Sequence, residues 1–313
     1  GHTRLSIMDP SNSLANQPIE SDEWVLVFNG EIYNYRDIRC GLESDFDFVS
    51  ESDTEVLLRS IDKYGVESAV HKLNGIFAFV AFNKKTKETF FVRDRLGIKP
   101  LYFYRDIHNS TWFSSTPAAI VKSKVKEGWD LDYFALMRYF SLGATMCRQT
   151  LFSGINRLLP ATILKLDSDG NSSENKYWEP QFRSSDIEKS IINANVLQKE
   201  AHVPSAIFLS GGVDSSVSAL ALKDLDSFHL DSPEKKYAEY IANKLGTKLV
   251  IRGFDGVEHF SALNAKYVRS SGEPSASAPI PYLVADAIRE SGYKVAFSAN
   301  GADELFFGYP RTY

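Results

Sequence analysis

The amino-acid sequence predicts a mixed α/β protein with a strand-rich first domain and a second domain of alternating strands and helices. In the first half, short apolar and aromatic segments are separated by turn residues, a pattern typical of strands. In the second half, strands alternate with helical stretches, which predicts crossover units and a parallel sheet. With 313 residues, 43% of them hydrophobic, the chain can form two separate cores.

The strands of the first domain are predicted from five segments that begin at Trp24, namely WVLVFNG, GIFAFVAFN, TFFVRD, LYFYRD and TWFSS. Helices are predicted over 55–63 and 132–140, and further strands over 161–166 and 175–178. The polar stretch that follows predicts a linker near 180–190. We therefore expect a first domain over 1–185 and a second domain over 186–313.

The second domain is predicted to begin with a strand over 206–209, a Gly-Gly turn and a helix over 215–223. A strand over 227–230 precedes a helix that starts with Ser232 as its cap and Pro233 as its first residue, and that ends at Gly246. A strand over 248–251 follows. Because ligands of parallel sheets bind beyond the carboxyl ends of the strands, the loops at that edge are candidate sites.

Charge and composition exclude several classes of function. The 35 basic and 40 acidic residues give a net charge of −5 without a basic cluster, which argues against a nucleic-acid partner. No apolar run reaches about 18 residues and the start has no signal pattern, so no membrane association is expected. Cys40 and Cys147 are too few for a disulfide framework and, like the six histidines, show no metal-ligand spacing. We expect a soluble, cytoplasmic protein.

The segment Leu209-Ser210-Gly211-Gly212-Val213-Asp214-Ser215-Ser216 lies between a predicted strand and a predicted helix. This placement directs backbone N–H groups and a helix N-terminus at an anion, and serine hydroxyls can donate to phosphate oxygens. Asp214 would repel a phosphate unless a cation lies between them, which indicates Mg²⁺. The alternative is a plain Gly-Gly turn capped by serine.

Two further segments carry candidate site residues. Asp303 follows a strand predicted over 295–298, so it would lie at the same sheet edge as Asp214 and could share its ion. Solvated acids in a loop are the alternative there. Asn29 and Gly30 end the first predicted strand, where an amide side chain and a backbone N–H can form an oxyanion hole. The alternative for Asn-Gly is a hairpin turn.

Nine segments together resemble asparagine synthetases and their relatives in order and spacing through nearly the whole chain. They are GHTRLSIMD, FNGEIYNY, SESDTEVLL, LNGIFAF, VRDRLGIKPLYFY, FSGINRLLP, the Tyr-Trp pair near 177, FLSGGVDSS and SANGADELFFGY. The resemblance implies a class II glutamine amidotransferase domain with the αββα sandwich of N-terminal-nucleophile glutaminases. It also implies a following synthetase domain of the ATP-pyrophosphatase type, with the parallel sheet of adenine-nucleotide α-hydrolase-like folds.

The resemblance implies roles for residues at matching positions of the first domain. Arg4 would hold the glutamine carboxylate, for which a bidentate guanidinium is suited. Asn29 and Gly30 would form the oxyanion hole, and Glu31 and Asp53 would bind the amino group of glutamine.

In the second domain, the resemblance implies that ATP and Mg²⁺ are bound. Leu209 and Ser298 would flank adenine, and Asp214 and Asp303 would bind Mg²⁺. The pyrophosphate part would be held by Ser210, Gly211, Gly212, Asp214, Ser215 and Ser216. The Gly272-Glu273-Pro274 segment resembles a family loop near the acceptor substrate.

The sequence departs from the family pattern in several places. The family's glutaminase nucleophile is an N-terminal cysteine, and neither Cys40 nor Cys147 lies in a matching motif. We therefore expect that this cysteine, and a catalytic lysine of the synthetase domain, belong to segments outside the sequence given, so that both domains are incomplete. Asn300 stands where relatives carry Glu or Asp, and an amide cannot accept a proton. Another group would serve as the base, the acceptor would differ, or synthesis would be impaired; Thr116 and the 202–206 segment depart as well.

The predicted function is glutamine-dependent, ATP-driven amide synthesis through an acyl-adenylate, with release of AMP and pyrophosphate. This makes the protein an asparagine synthase (glutamine-hydrolysing)-like carbon–nitrogen ligase. Aspartate is the default acceptor, and a carboxylated sugar of a surface polysaccharide or a β-lactam-type precursor is the alternative. A second hypothesis is a non-catalytic relative that binds glutamine or nucleotide. The expected partners are glutamine, ATP and the acceptor, and a homodimer is left open.

Overall fold

The computed structural model describes the chain except residues 1, 4, 6, 124–128, 146, 182–183, 185, 254–256, 275–278 and 310–313, and for 257–260 and 279 it describes the backbone only. The chain forms two compact units. Unit 1 comprises Gly1–Phe182 and Ala265–Ala276, and unit 2 comprises Arg183–Asn264 and Ser277–Tyr313. The contacts thus place a short segment of the predicted second domain in unit 1, while the boundary between 185 and 186 stays a prediction.

Unit 1 is built on two antiparallel sheets. Its described strands are β1 (Ile19–Glu20), β2 (Trp24–Ile32), β3 (Gly75–Asn83), β4 (Thr89–Arg93), β5 (Tyr102–Arg105), β6 (Thr111–Ser114), β7 (Asn156–Arg157), β8 (Thr162–Leu166) and β9 (Ser172–Lys176). Its described helices are α1 (Tyr35–Cys40), α2 (Asp53–Lys72), α3 (Pro117–Ser123) and α4 (Tyr133–Leu142), and a short 3-10 helix spans Ser13–Ala15. The larger sheet has the order β1-β2-β3-β4-β8-β9, and the smaller sheet has the order β6-β5-β7.

The layers of unit 1 follow from three groups of buried apolar side chains. Val80 and Phe91 of the larger sheet pack with Phe103 of the smaller sheet, so the two sheets lie face to face. The opposite side of the larger sheet is covered by α2, through side chains such as Leu57. Ile120 of α3 packs with the outer side of the smaller sheet. The order of layers is αββα, which confirms the predicted sandwich.

The largest differences from the predicted bounds of unit 1 are in helix α2 and strand β9. Helix α2 continues to residue 72 rather than 63, with Gly65 at φ 72° and ψ 164° inside it. Glycine adopts positive φ at little cost, so two helical stretches meet there at a kink. The strand predicted over 175–178 is β9, Ser172–Lys176, whose side chains are all exposed. An exposed edge strand lacks the apolar pattern from which strands are predicted.

Unit 2 is built on one parallel sheet, as predicted. The strands are β10 (Ser205–Phe208), β11 (Asp226–Leu230), β12 (Leu249–Arg252) and β13 (Val295–Phe297), in the order β12-β11-β10-β13. The helices of the second half are α5 (Ile187–Gln198), α6 (Val213–Ala221), α7 (Lys235–Leu245), α8 (Val257–Ser271), α9 (Pro279–Glu290) and α10 (Ala302–Phe306). The strand order reverses between β10 and β13, the kind of switch point at which such sheets bind ligands.

Helix α7 begins two residues later than predicted. Lys235 is its first residue, and the hydroxyl of Ser232 accepts a hydrogen bond from the Glu234 N–H at 3.3 Å. Gly246 ends the helix in the left-handed conformation, as predicted. In the described part of the chain, no helix combines the length and the apolar character that crossing a bilayer requires.

Candidate functional site

A pocket in unit 1 brings together four of the predicted glutamine-site residues. Asn29, Gly30 and Glu31 lie near the end of β2, and Asp53 begins α2. The pocket, called the β2 pocket below, has a volume of about 120 Å³, and its other lining residues are His2, Thr3, Leu5, Ile7, Met8, Gln17, Phe28, Ser52, Thr54 and Lys99. Arg4, the predicted carboxylate ligand, lies outside the described residues.

The backbone at Gly30 approaches the neighbouring strand too closely for any side chain. Gly30 lies opposite Phe77 of β3, and a Cβ atom at Gly30 would lie 2.1 Å from the carbonyl oxygen of Ile76. Because Asn29 and Gly30 both pair with β3 inside a long strand, they do not form the Asn-Gly hairpin turn considered as an alternative. The approach of the two strands fixes the stretch that carries Asn29 and Glu31 into the pocket.

The Asp53 side chain of the β2 pocket is held at a defined place. Asp53 is only 4% exposed, and its Oδ2 accepts the Ile32 N–H at 2.9 Å. It lies in the first turn of α2, where the helix dipole stabilises a negative charge. Burial raises the pKa of the nearby Tyr33 hydroxyl, with smaller contributions from the charges of Glu31 and Asp94. The carboxylates of Glu31 and Asp53, which both line the pocket, suit a bound ammonium group.

Lys99 lines the same pocket although no role was predicted for it. Its backbone N–H donates to Asp94 Oδ2 at 2.9 Å, and its carbonyl accepts from Arg93 Nε at 2.8 Å. Asp94 also accepts the N–H groups of Leu96 and Ile98, so one carboxylate organises the whole turn. Lys99 lies in the segment VRDRLGIKPLYFY, which supported the family resemblance. From the sequence, no function was assigned to the charged residues of this segment.

A second cavity adjoins the β2 pocket. Its volume is about 360 Å³, and it shares His2, Thr3 and Asn29 with the pocket. The remaining lining residues are mostly apolar and are Val27, Ala78, Phe79, Val80, Pro100, Leu101, Phe113, Ser114 and Ser115. Asn29 therefore lines both cavities, and the second one is called the adjoining cavity below.

In unit 2, the predicted phosphate loop lies between β10 and α6. Within it, Ser210 Oγ lies 2.8 Å from Ser215 Oγ and accepts the Gly212 N–H at 3.2 Å. Ser216 Oγ donates to the Gly212 carbonyl at 2.7 Å. Gly211 has φ 85°, and a Cβ atom there would lie 2.5 Å from the backbone nitrogen of Ala238 in α7. The loop is thus closed on itself and rests on the start of α7.

The strand order brings the two predicted metal ligands together. β13 pairs with β10, so the loop after Phe297 and the phosphate loop leave the same edge of the sheet. Burial raises the pKa of Asp214, and the charge and hydrogen bond of Asp303 and the charge of Glu304 raise it further. Two carboxylates are therefore adjacent, although no group of three or more His, Cys, Asp or Glu side chains able to hold a metal occurs among the described residues.

The remaining predicted residues lie in the loop that follows β13. Ser298 comes directly after the strand, Asn300 is exposed, and Asp303 lies in α10. A Cβ atom at Gly308 would lie 1.9 Å from Asp303 Oδ1, so the carboxylate lies against the chain at this glycine. Sequence reasoning did not single out His229, Ser232 or the start of α7 as neighbours of the phosphate loop, because their contacts arise from the pairing of β10 with β11.

Comparisons with known proteins agree with both halves of this arrangement. Residues 1–178 match the family described as glutamine amidotransferase domain, and residues 186–313 match the family described as asparagine synthase. Asparagine synthetase [glutamine-hydrolyzing] 1 of Bacillus subtilis is 31% identical over 330 residues, which cover 99% of this chain and 51% of that protein. Amidase chyE of Penicillium rubens is 28% identical over 367 residues, with coverages of 99% and 51%.

The chain spans about half the length of these curated relatives. Among solved structures, the allosteric regulatory enzyme of purine biosynthesis aligns with 80% of this chain and 65% of its own chain, at 14% identity. The TM-score of 0.41 is too low to support an assignment.

Proposed function

Because this chain belongs to the family that joins a glutamine amidotransferase domain to an asparagine synthase domain, we propose that it forms amides with nitrogen from glutamine and energy from ATP. The observation that carries the proposal is that one chain contains both an acid-lined pocket, in unit 1, and a phosphate loop beside two carboxylates, in unit 2. Neither half alone distinguishes a ligase from a glutaminase or a nucleotide-binding protein.

In the proposed first half-reaction, the β2 pocket binds glutamine. Glu31 and Asp53 hold its ammonium group, and Arg4 pairs with its carboxylate. Attack on the side-chain amide produces an oxyanion, which the Asn29 amide and the Gly30 N–H stabilise. The nucleophile is a cysteine outside these 313 residues in this proposal, because neither Cys40 nor Cys147 is among the described residues that line the pocket.

The adjoining cavity gives the released nitrogen a path away from the pocket. It begins at Asn29, where the amide bond would be cleaved, and its walls combine apolar side chains with polar groups. Uncharged ammonia passes the apolar side chains at lower cost than ammonium, which would lose its hydration.

In the proposed second half-reaction, unit 2 binds ATP at the switch point of the sheet. Leu209 and Ser298 flank adenine, and the phosphate-holding residues are Ser210, Gly211, Gly212, Ser215 and Ser216. Asp214 and Asp303 fit a Mg²⁺ site, because a divalent ion would offset the repulsion of the two carboxylates, which adds to the effect of burial in raising the pKa of Asp214. When bound, the ion would neutralise charge on the phosphates. The acceptor carboxylate attacks the α-phosphorus, pyrophosphate leaves, and ammonia then displaces AMP.

Aspartate is the first acceptor to test, and another carboxylate is the second candidate. The exposed Asn300 favours the second candidate, because an amide cannot act as the base at this position. A relative named as an amidase is consistent with varied acceptors in this group. A binding-only protein is the third possibility.

The test is an assay of the full-length protein with glutamine, ATP, Mg²⁺ and a panel of carboxylates, together with its N-terminal residue by intact mass. Glutamate, AMP and pyrophosphate formed with aspartate would support asparagine synthesis. The same products with a different acid alone would support the second candidate. Glutamate without AMP for every acceptor contradicts the ATP-driven half, and neither product indicates a binding-only protein.

A further inference from the structure

We propose that His229 is a positioning residue of the phosphate loop, because its ring fixes the peptide group that joins Leu209 to Ser210. The inference rests on the proposed ATP-binding function and adds a residue to it. His229 lies on β11 and is only 6% exposed. No metal, disulfide or substrate role was predicted for it from the sequence.

The His229 ring contacts the chain just after the strand pairing of β10 ends. The Leu209 N–H donates to the Phe228 carbonyl at 2.9 Å, one residue beyond the end of β10. The Leu209 carbonyl then lies 2.8 Å from His229 Nδ1. Since a carbonyl oxygen can only accept, Nδ1 carries the proton and donates it. A side chain thus holds the last backbone group before the loop.

The same peptide plane is held from its other side as well. Ser210 N–H and Leu209 C=O belong to one planar peptide and point in opposite directions. The Ser210 N–H donates to Ser215 Oγ at 3.2 Å, at the start of α6. His229 and Ser215 therefore fix the rotation of this plane. That rotation sets where the Ser210 hydroxyl and the following glycine N–H groups point, which are the groups that would meet phosphate oxygens.

A third contact holds the ring itself. Ser232 Oγ lies 3.3 Å from His229 Nε2, which is within hydrogen-bond distance whichever of the two donates. The Ser232 oxygen in turn accepts the Glu234 N–H just before α7. Gly211 packs on the backbone of Ala238 in the same helix. The start of α7 and the phosphate loop are therefore held in register by two separate contacts.

The test compares two substitutions of His229 in the full-length protein. Asparagine can place an N–H close to the position of Nδ1, whereas leucine fills similar space without a donor. Binding of ATP with Mg²⁺ and of inorganic pyrophosphate with Mg²⁺ is measured by calorimetry. H229L is expected to weaken both by about 3- to 10-fold, as loss of one hydrogen bond implies. H229N is expected to stay within about twofold of the wild type.

Ser227 provides a matched control on the same strand and the same face. It is fully buried, and among the described residues its hydroxyl has no hydrogen-bond partner. S227A should leave both affinities unchanged. Glutamate release from glutamine, which depends on the β2 pocket of unit 1, should be unchanged in H229L, which separates loss of loop position from general misfolding.

The outcomes separate this inference from the proposed function. If H229L binds ATP as tightly as the wild type does, the proposed role of His229 is wrong, and the proposal that the protein binds ATP is unaffected. A wild type that binds neither ATP nor pyrophosphate removes the proposed function and this inference together. If H229L does not fold, S232A replaces it, with an expected weakening of about two- to threefold. Affinities of S232A equal to those of S227A would then overturn the inference.

Discussion

Asp94 is the side chain on which the turn at the β2 pocket depends. Its carboxylate is 1% exposed and accepts four backbone N–H groups, at 2.9 to 3.2 Å. In D94N, one acceptor oxygen becomes an amide donor that faces N–H groups. We expect the free energy of unfolding of unit 1 to fall by about 2–4 kcal/mol, because buried donors lose their partner.

Urea denaturation followed by circular dichroism measures this effect. D45N is the control, because Asp45 pairs with Lys63 at the surface, where water screens the pair and its contribution to stability is small. Equal losses in D94N and D45N would mean that the four hydrogen bonds contribute little. A larger loss in D94N, with weaker glutamine binding, agrees with a turn that carries Lys99.

Asp214 and Asp303 are expected to lower the stability of unit 2 when no cation is bound. The folded protein raises the pKa of Asp214, so it binds that proton more tightly than the unfolded chain does. Stability therefore falls as pH rises from the unfolded pKa through the higher folded value, and the loss is complete at neutral pH. At pH 7 in EDTA, D303N should raise the thermal midpoint by about 1–2 °C, a small value because water screens the pair.

The gain should disappear below about pH 3, where Asp214 is protonated in both the folded and the unfolded state. Differential scanning calorimetry at the two pH values checks this. D231N is the matched control, since Asp231 pairs favourably with Lys235 at 3.1 Å and its removal should not stabilise the protein. A lower midpoint for D303N at pH 7 would show that Asp303 has a structural role that outweighs the repulsion.

At the scale of elements, the pairing of β2 with β3 requires a glycine at position 30. In G30A the new methyl group would lie 2.1 Å from the Ile76 carbonyl oxygen, so the strands must separate. We expect a loss of more than about 3 kcal/mol or a failure to fold. G41A is the control, because the nearest atom to its Cβ is 3.5 Å away and its φ of −75° suits alanine. Thermal denaturation of the two variants tests this prediction. Only G41A should keep the stability of the wild type.

The elements that were predicted well are those whose pattern is local. The buried strands β2, β3 and β4 are rich in aromatic and β-branched residues, and the Gly-Gly loop lies between a strand and a helix, so their neighbours in sequence define them. Helix α7 was predicted with its correct end, because Gly246 is a local stop signal.

Features that depend on tertiary contacts were predicted less well. Exposed β9 has no apolar pattern, and it is defined by its pairing with β8. Helix α2 crosses Gly65 because its buried face packs on the sheet. Lys99 lines the β2 pocket with Asn29 and Asp53, and His229 contacts Leu209, and in both cases the residues are distant in sequence, so no spacing rule reveals them. The sequence motifs named the candidate site residues. The residues that support them, such as Lys99 and His229, were found only from the fold.

At the scale of the whole chain, the segment 265–276 belongs to the asparagine synthase match in sequence but to unit 1 in contacts. Glu273 connects this segment to the smaller sheet. Its carboxylate accepts from Tyr102 Oη at 2.7 Å and pairs with Arg157. Burial raises the pKa of Tyr102 to about 12, and the charge of Glu273 adds to the effect. Lys122 Nζ also donates to the Arg269 carbonyl at 3.1 Å.

A double-mutant cycle on Arg157 and Glu273 measures how strongly this segment is held. Their side chains are 19% and 20% exposed, so removal of one partner leaves a partly buried charge. R157M and E273Q should each cost about 1–3 kcal/mol, and the double variant should cost little more than the larger single loss. The coupling would therefore be at least about 1 kcal/mol.

Lys176 and Glu179 form the control pair, because both are more than half exposed at a distance of 3.0 Å and should couple by less than about 0.5 kcal/mol. Strictly additive losses for R157M and E273Q would mean that the segment is held by its other contacts alone. Strong coupling would mean that a division of the chain at the sequence boundary near 185 removes a stabilising ion pair from unit 1. A fragment that ends at residue 182 would then keep Arg157 and Tyr102 without Glu273, and R157M should destabilise this fragment less than it destabilises the full chain.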